Sequence, residues 1–133
     1  MSVCEMTASS DWSELQSLYG AESMPDLDTC RFFYVHMDER DGSVTFGFET
    51  QEMPEHPKSA WKEQEYNTLC FWIEFTDVAD LRVSGIRAEA ERAVLITDGD
   101  VLRVSVESDT RSIAFSAGSL RVSHSEVYLQ GAL

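Results

Sequence analysis

The chain has 133 residues, of which 43% are hydrophobic and 26% are charged, a composition typical of a globular protein. This length predicts a single domain over residues 1–133. Asp and Glu number 24 against 10 Lys and Arg, and the net charge of −14 disfavours binding to nucleic acids and anionic membranes, whose phosphates attract basic surfaces.

The acidity has two interpretations that the sequence leaves open. It can serve solubility alone, or it can attract a basic protein partner, because opposite potentials speed association and suppress wrong partners. Residues 1–66 contain 14 acidic and 4 basic residues, whereas residues 67–133 contain 10 and 6. Most of the negative charge therefore lies in the first half of the chain.

The cysteines and the amino terminus favour a cytoplasmic protein. Cys4, Cys30 and Cys70 are odd in number and widely spaced, unlike a disulfide framework. Residues 1–5 lack the basic and apolar regions of a signal peptide. No apolar run approaches the roughly 20 residues that a membrane-spanning helix needs.

The first elements are a loose start over residues 1–9 and a short helix over 11–19. Asp11 and Glu14 have the spacing of a capping box, in which each side chain accepts from the backbone N–H of the other residue. An apolar stripe follows at three- and four-residue steps, formed by Trp12, Leu15, Leu18 and Tyr19. Gly20 is placed to end this helix, which we interpret as a lid on a sheet.

Two strands then form a hairpin, and a long irregular connection follows. Residues 30–37 and 44–49 are rich in aromatic and β-branched side chains, and they flank the turn signal Asp41-Gly42. Residues 50–66 contain two prolines and read as one loop, a length that is often functional or mobile. Within it, Trp61 can either be exposed or fold back into the core, and the second interpretation is favoured.

The remainder alternates apolar and polar residues in strand after strand. Leu69, Phe71, Ile73 and Phe75 share one face of a strand, with Cys70, Trp72 and Glu74 on the other. Asp98-Gly99, between residues 93–96 and 101–106, predicts a hairpin with a two-residue type I′ turn. We expect a mainly β, antiparallel sandwich or partly open barrel of about eight strands with a short N-terminal helix.

No motif for catalysis, a cofactor or a metal is recognisable. His36 and Asp38 share a strand face, but two ligands at this spacing form a weak metal signature. Nucleophile elbows, phosphate-binding loops and dinucleotide fingerprints are missing from the sequence. We therefore expect a non-enzyme. The run Phe32-Phe33-Tyr34 must turn at least one ring to each sheet face, and we expect Trp12 of the helix to cover the outer one.

A series of spaced landmarks resembles the bacterial immunity protein 50 family, the antidotes of polymorphic toxin systems. The landmarks are Trp12 to Leu15, Leu18-Tyr19-Gly20, Pro25, His36 before the turn at 41–42, Pro54, Pro57, Trp61, Asn67, the run from Phe75 to Leu81, and Gly85. The resemblance implies a stoichiometric inhibitor that binds and neutralises a cognate toxin protein in the cytoplasm. Many such toxin domains are basic nucleases, which an acidic face would attract.

Under this resemblance the candidate toxin-binding surface is the acidic first half. The hypothesis comprises the acids near the first turn and those of the long loop, with two loop aromatics: Asp38, Glu39, Asp41, Glu52, Glu55, Trp61, Glu63, Glu65 and Tyr66. We expect a monomer or weak homodimer. Two alternatives are a small-ligand or carbohydrate-binding β-sandwich and a structural subunit whose acidity serves only solubility.

Overall fold

The computed structural model describes residues 8–85, 93–108 and 110–131. Two packed sheets and one short helix form this part of the chain, and its strands do not close into a barrel. The mainly β prediction is confirmed, and the architecture is a β-sandwich. The elements are β1 (Ser9–Asp11), α1 (Ser13–Tyr19), β2 (Arg31–Asp38), β3 (Ser43–Thr50), β4 (Thr68–Thr76), β5 (Ala79–Ser84), β6 (Ala93–Thr97), β7 (Leu102–Glu107), β8 (Ser112–Ala117) and β9 (Ser119–Tyr128).

The larger sheet has the strand order β1-β9-β4-β3-β2, and the smaller one the order β5-β8-β7-β6. The described strand pairs are antiparallel, except that β1 runs parallel to β9. The sequence did not predict β1, because three exposed polar residues show no apolar alternation. Ser9 therefore belongs to the sheet rather than to a loose start, whereas residues 1–7 and Cys4 lie outside the described residues.

The core between the sheets follows the predicted alternation. Leu69, Phe71, Ile73 and Phe75 of β4 are fully buried, as are Val44, Phe46 and Phe48 of β3. Phe115 of β8 joins the sheets, with ring centroids 5.8 Å from Phe46 and 5.1 Å from Phe75. Edge-to-face ring pairs of this kind add to the stability gained from burial.

Helix α1 begins two residues later than predicted, and the capping box between Asp11 and Glu14 does not form: the N-cap residue is Trp12, which makes no side-chain capping hydrogen bond. Asp11 Oδ1 instead accepts from the Ser13 backbone N–H at 3.0 Å. Glu14 Oε2 accepts from Ser125 Oγ at 2.5 Å and lies 2.6 Å from Lys58 Nζ. Burial raises the pKa of the Glu14 carboxyl, but the hydrogen bonds from Lys58 and Ser125 outweigh it and lower the pKa below its usual range.

The long connection over residues 51–67 is attached to the rest of the fold at several points. Trp61 is buried with 7% exposure, which confirms that it folds back into the core. The His56 backbone N–H donates to the Leu18 carbonyl at 3.0 Å, and the Tyr19 hydroxyl donates to the Glu52 carbonyl. Lys58 lies over the Trp61 ring at 5.3 Å in addition to its ion pair with helix α1.

The β6–β7 hairpin differs from the predicted one. Strand β6 ends at Thr97 and β7 begins at Leu102, so four residues connect the strands instead of two. A type I′ turn needs a positive φ at both central residues, whereas Gly99 is not among the glycines with positive φ. Asp98 instead accepts a hydrogen bond from Ser10 of β1 at 3.1 Å. The prediction of a type I′ turn was wrong, although the two strands are correct. The expected turn at 109–110 includes Asp109, outside the described residues.

The turn between β4 and β5 uses unusual backbone geometry. Asp77 and Asp80 have φ values of 54° and 56°, which few residues other than glycine adopt. The turn is also short, because β4 ends at Thr76 and β5 already begins at Ala79. Gly85 has a φ of +76°, and a Cβ there would lie 1.9 Å from the Thr110 carbonyl oxygen. The backbones of residues 85 and 110 therefore pass each other in a space that only glycine allows.

Replacing Gly85 with Ala should lower the free energy of unfolding by about 3 kcal/mol, because it combines a left-handed φ with a steric clash. The matched control is Gly99→Ala, since a Cβ at Gly99 meets its nearest described neighbour at 3.5 Å. Urea unfolding of both variants measures the difference. Equal stabilities of the two variants would contradict the close approach at Gly85.

Candidate binding surface

The structure separates the predicted acidic residues into two groups. Asp38, Glu39 and Asp41 lie at the turn between β2 and β3, which we call the hairpin end. The other four acids lie in the connection that leaves β3 at Thr50, which we call the loop end; these are Glu52, Glu55, Glu63 and Glu65. The length of β3 places the two ends about 24 Å apart. The seven acids therefore do not form one continuous cluster.

Six of the seven acids are exposed, and the seventh has a structural role. Asp38 is half-buried, and its Oδ1 accepts from the backbone N–H groups of Arg40 and Asp41 at 3.0 and 3.3 Å. It therefore fixes the turn that presents Glu39 and Asp41 to solvent. Substitutions that test charge alone should leave Asp38 in place.

The two aromatic residues of the predicted surface pack inward. Trp61 belongs to the buried core, and Tyr66 is half-buried against it, with ring centroids 6.3 Å apart. A side chain that is 7% exposed offers almost no area to a partner. Trp61 therefore packs mainly as a core residue, and the loop presents little aromatic area to solvent at this position.

The exposed aromatic side chains lie elsewhere, on the face of the five-stranded sheet that points away from the core. Together with a half-buried tryptophan they form what we call the aromatic patch: exposed Phe33, Tyr34, His36 and His124, and half-buried Trp72. Phe33 is 40% exposed and Tyr34 is 42% exposed. Ring centroids are 5.9 Å apart for Phe33 and Trp72, and 5.3 Å apart for Trp72 and His124. On β2, Tyr34 lies 6.3 Å from Phe33 and 6.5 Å from His36.

Two strand irregularities create the patch. In β2, Phe32 pairs with Phe48 and Tyr34 pairs with Gly47, so Phe33 is an extra residue. Because of this bulge, Phe33 and Tyr34 both point outward. In β9, His124 pairs with Trp72 while Val122 pairs with Ile73, which leaves Ser123 as the extra residue. The expectation that helix α1 covers the outer ring was wrong, because Trp12 lines a separate cleft with Leu27 and Val94.

Gly47 forms the floor of the patch. A Cβ at this position would lie 2.7 Å from Tyr34 Cβ, 3.0 Å from Trp72 Nε1 and 3.2 Å from Phe33 Cζ. Glycine inside a strand weakens it, and it often marks a place where another group approaches the backbone closely. Here the three aromatic residues occupy the space above the strand.

Polar groups surround the patch on the same face. Towards the loop end, Glu49 pairs with Arg31 at 3.1 Å and accepts a hydrogen bond from the Tyr128 hydroxyl. Towards the hairpin end, Glu74 pairs with Arg121 at 2.8 Å. Beside the rings, His124 lies 3.3 Å from Glu126. The rings are therefore bordered by charged groups that already have partners.

The polar network affects two titratable groups. Burial and the Glu49 charge raise the pKa of the Cys70 thiol to about 11, so the thiol stays protonated at neutral pH. The hydrogen bond to Glu49, followed by burial, raises the pKa of Tyr128 above its usual value. Neither group therefore has the lowered pKa of an activated nucleophile.

Three open clefts flank these features. A cleft of about 540 Å³ at the loop end is lined by polar residues that include Arg31, Glu49 and Glu52. One of about 280 Å³ at the hairpin end has Met37 and Leu81 beside Asp38, Glu39 and Asp80. A third, of about 440 Å³, lies on the outer face of the four-stranded sheet and includes Arg82 and Arg103.

The described residues contain no group of three or more His, Cys, Asp or Glu side chains that could hold a metal ion. His36 and Asp38 therefore lack a third described ligand of these types. No helix in the described ranges is long and apolar enough to cross a membrane.

A protein-family model described as Immunity protein 50 matches residues 12–128. The chain belongs to this family. The Immunity protein 50 match extends from Trp12, just before helix α1, to the end of β9, and it confirms the resemblance seen in the sequence landmarks. The family name implies an immunity protein, and therefore a toxin as the partner. No curated protein and no solved structure matches the chain significantly.

Trp61→Ala should lower the free energy of unfolding by about 3–5 kcal/mol, because it empties a buried site in the core. The exposed Tyr34→Ala should change it by less than about 1 kcal/mol. Chemical unfolding of both variants tests the contrast. Equal losses of unfolding free energy in the two variants would show that Trp61 is not packed more deeply than Tyr34.

Proposed function

We propose that this protein binds and neutralises a basic cognate toxin domain in the cytoplasm, as a stoichiometric inhibitor without catalytic activity. The observation that carries the proposal is the family match over residues 12–128. An inhibitor of this kind needs a stable scaffold, and the two packed sheets with their buried core are consistent with that role. We expect the protein to act as a monomer or weak homodimer.

The charge distribution supports a basic partner. The net charge of −14 and the exposed acids at both ends of the sheet would attract a positively charged domain over a long range. At the hairpin end, the apolar side chains of Met37 and Leu81 lie beside the carboxylates of Asp38 and Asp80. This combination suits Lys and Arg, whose long apolar stems carry a terminal charge.

The protonation of Cys70 supports inhibition without catalysis. Its thiol is 4% exposed, and its raised pKa of about 11 keeps it from acting as a thiolate at neutral pH. Cys30 is 2% exposed and lies in the core cluster. Both thiols are therefore buried, which is typical of structural rather than reactive cysteines.

Growth rescue tests the proposal directly. The probe is the C-terminal domain of the protein encoded immediately upstream in the source genome, once its expression has been shown to arrest bacterial growth. Co-expression of the present chain should restore growth, and the purified pair should form a 1:1 complex that weakens with salt. Continued arrest despite soluble co-expression would overturn this pairing of toxin and antidote.

The acids at the hairpin and loop ends should control the rate of toxin association. Glu39→Lys with Asp41→Lys, or Glu63→Lys with Glu65→Lys, should lower the association rate at low salt on the order of tenfold, because steering depends most on the charges nearest to the bound partner. The control Glu107→Lys places the same type of change on the outer face of the other sheet. Stopped-flow measurements that give the same rate for all variants would remove these acids from the proposed surface.

A carbohydrate-binding module is the second candidate, and the exposed rings of the aromatic patch favour it. Sugars stack on exposed rings, and Tyr34 is 42% exposed, so it is the candidate contact; Phe33 and Trp72 meet edge to face at an angle of 75° and do not extend it into a flat platform. Saturable, salt-insensitive binding to a glycan array would support this function. It should be lost in Tyr34→Ala and retained in Glu63→Lys.

A further inference from the structure

The aromatic patch crosses four strands of the larger sheet without interruption. Phe33, Tyr34 and His36 lie on β2, Trp72 lies on β4 and His124 lies on β9, while Gly47 of β3 leaves room between them. Each ring has its nearest ring neighbour within 6.5 Å. The rings therefore form one surface rather than scattered exposed side chains.

Packing of the core does not require this surface. The interior already contains its own ring cluster, formed by Phe32, Phe46, Phe48, Phe71, Phe75 and Phe115. Phe33, Tyr34 and Trp72 do not belong to the core cluster of described residues. Contiguous exposed apolar surface is uncommon in soluble proteins, and it often marks an interaction site.

The backbone is adapted to present the rings. A regular β2 strand would turn only one of the adjacent residues Phe33 and Tyr34 outward. The bulge at Phe33 lets both side chains point outward. The bulge at Ser123 places His124 on the same sheet face as Trp72. Bulges interrupt strand pairing and are frequent next to functional sites, where they re-aim side chains.

The composition of the surface matches that of a protein interface. Interfaces combine a centre rich in Trp, Tyr and Phe with a polar rim. Here the rim consists of the paired charges Arg31 with Glu49 and Arg121 with Glu74 on either side of the rings. Farther out, the acids of the hairpin and loop ends extend beyond opposite ends of the sheet.

We propose that the aromatic patch is the centre of the toxin-binding surface and contacts a basic toxin domain through Phe33, Tyr34 and Trp72. This inference rests on the proposed function. Charge favours a basic domain over a second copy of the chain as the occupant, because two copies with a net charge of −14 each repel one another. The acids at both ends steer the approach, and the rings provide the area that slows dissociation.

The test compares ring variants with a matched apolar control. Phe33→Ala and Tyr34→Ala should each weaken binding to the growth-arresting toxin domain about 30-fold or more, mainly through faster dissociation. Tyr34→Phe retains the ring and should remain within about threefold of the wild type. The control Leu95→Ala removes a side chain that is 58% exposed on the outer face of the other sheet, and it should leave the affinity unchanged.

A second measurement reports on the wild-type complex without any substitution. Hydroxyl-radical footprinting should show protection of Tyr34 and Trp72 when the toxin domain binds. Thermal unfolding of each variant separates lost contact from lost folding. Because Tyr34 is 42% exposed, its alanine variant should unfold near the wild-type temperature.

The outcomes separate the two proposals. A wild-type chain that neutralises the toxin, together with ring variants of unchanged affinity and no protection of Tyr34 and Trp72, overturns the aromatic surface but not the immunity function. A wild-type chain that neither binds nor rescues overturns both. Sedimentation showing a wild-type dimer and monomeric ring variants would assign the patch to a second copy, and would overturn its assignment to the toxin.

Discussion

The packing of phenylalanines from β3 and β4 against Phe115 determines how the two sheets face one another. Phe46, Phe48, Phe71 and Phe75 are fully buried, and two of them contact the ring of Phe115. Because successive side chains of a strand point to opposite faces, this core also determines which residues face solvent. Trp72 and Glu74 point outward because Phe71, Ile73 and Phe75 must point inward.

The strands that could be predicted are those with a clear alternation between apolar and polar residues. Strand β4 was apparent from its alternation of apolar and polar residues, and the hairpin of β2 and β3 from the alternation along residues 44–49 and the Asp41-Gly42 turn signal. Strand β1 was missed, since its three residues are polar and exposed, and only its pairing with β9 defines it. The β6–β7 turn was misassigned because Asp-Gly resembles a tight turn locally, whereas Asp98 contacts Ser10, far away in the sequence.

The candidate surface was harder to predict, because it depends on how the strands pair and on where their pairing is interrupted by bulges. From the sequence, the seven acids were assigned to one surface because they lie in the same half of the chain. In the structure, the whole length of β3 separates the hairpin end from the loop end. The sequence hypothesis also included Trp61 in the candidate surface, and Trp12 of the helix was expected to cover the outward ring of the run Phe32-Phe33-Tyr34. A one-residue bulge reverses the outward and inward sense of every residue after it, and no local signal at Phe33 announces such an insertion.

The attachments of the 51–67 connection affect its conformational entropy. Its contacts with helix α1 and the core, through His56, Lys58 and Trp61, form as the chain folds. A loop that is ordered in advance loses little freedom when a partner contacts it, so less of the interaction energy offsets ordering. Lys58 and Lys62 flank the buried Trp61 in this connection. Releasing this part of the connection therefore requires Trp61 to leave the core. Tryptic cleavage of this loop would therefore report opening of the core rather than local loop motion.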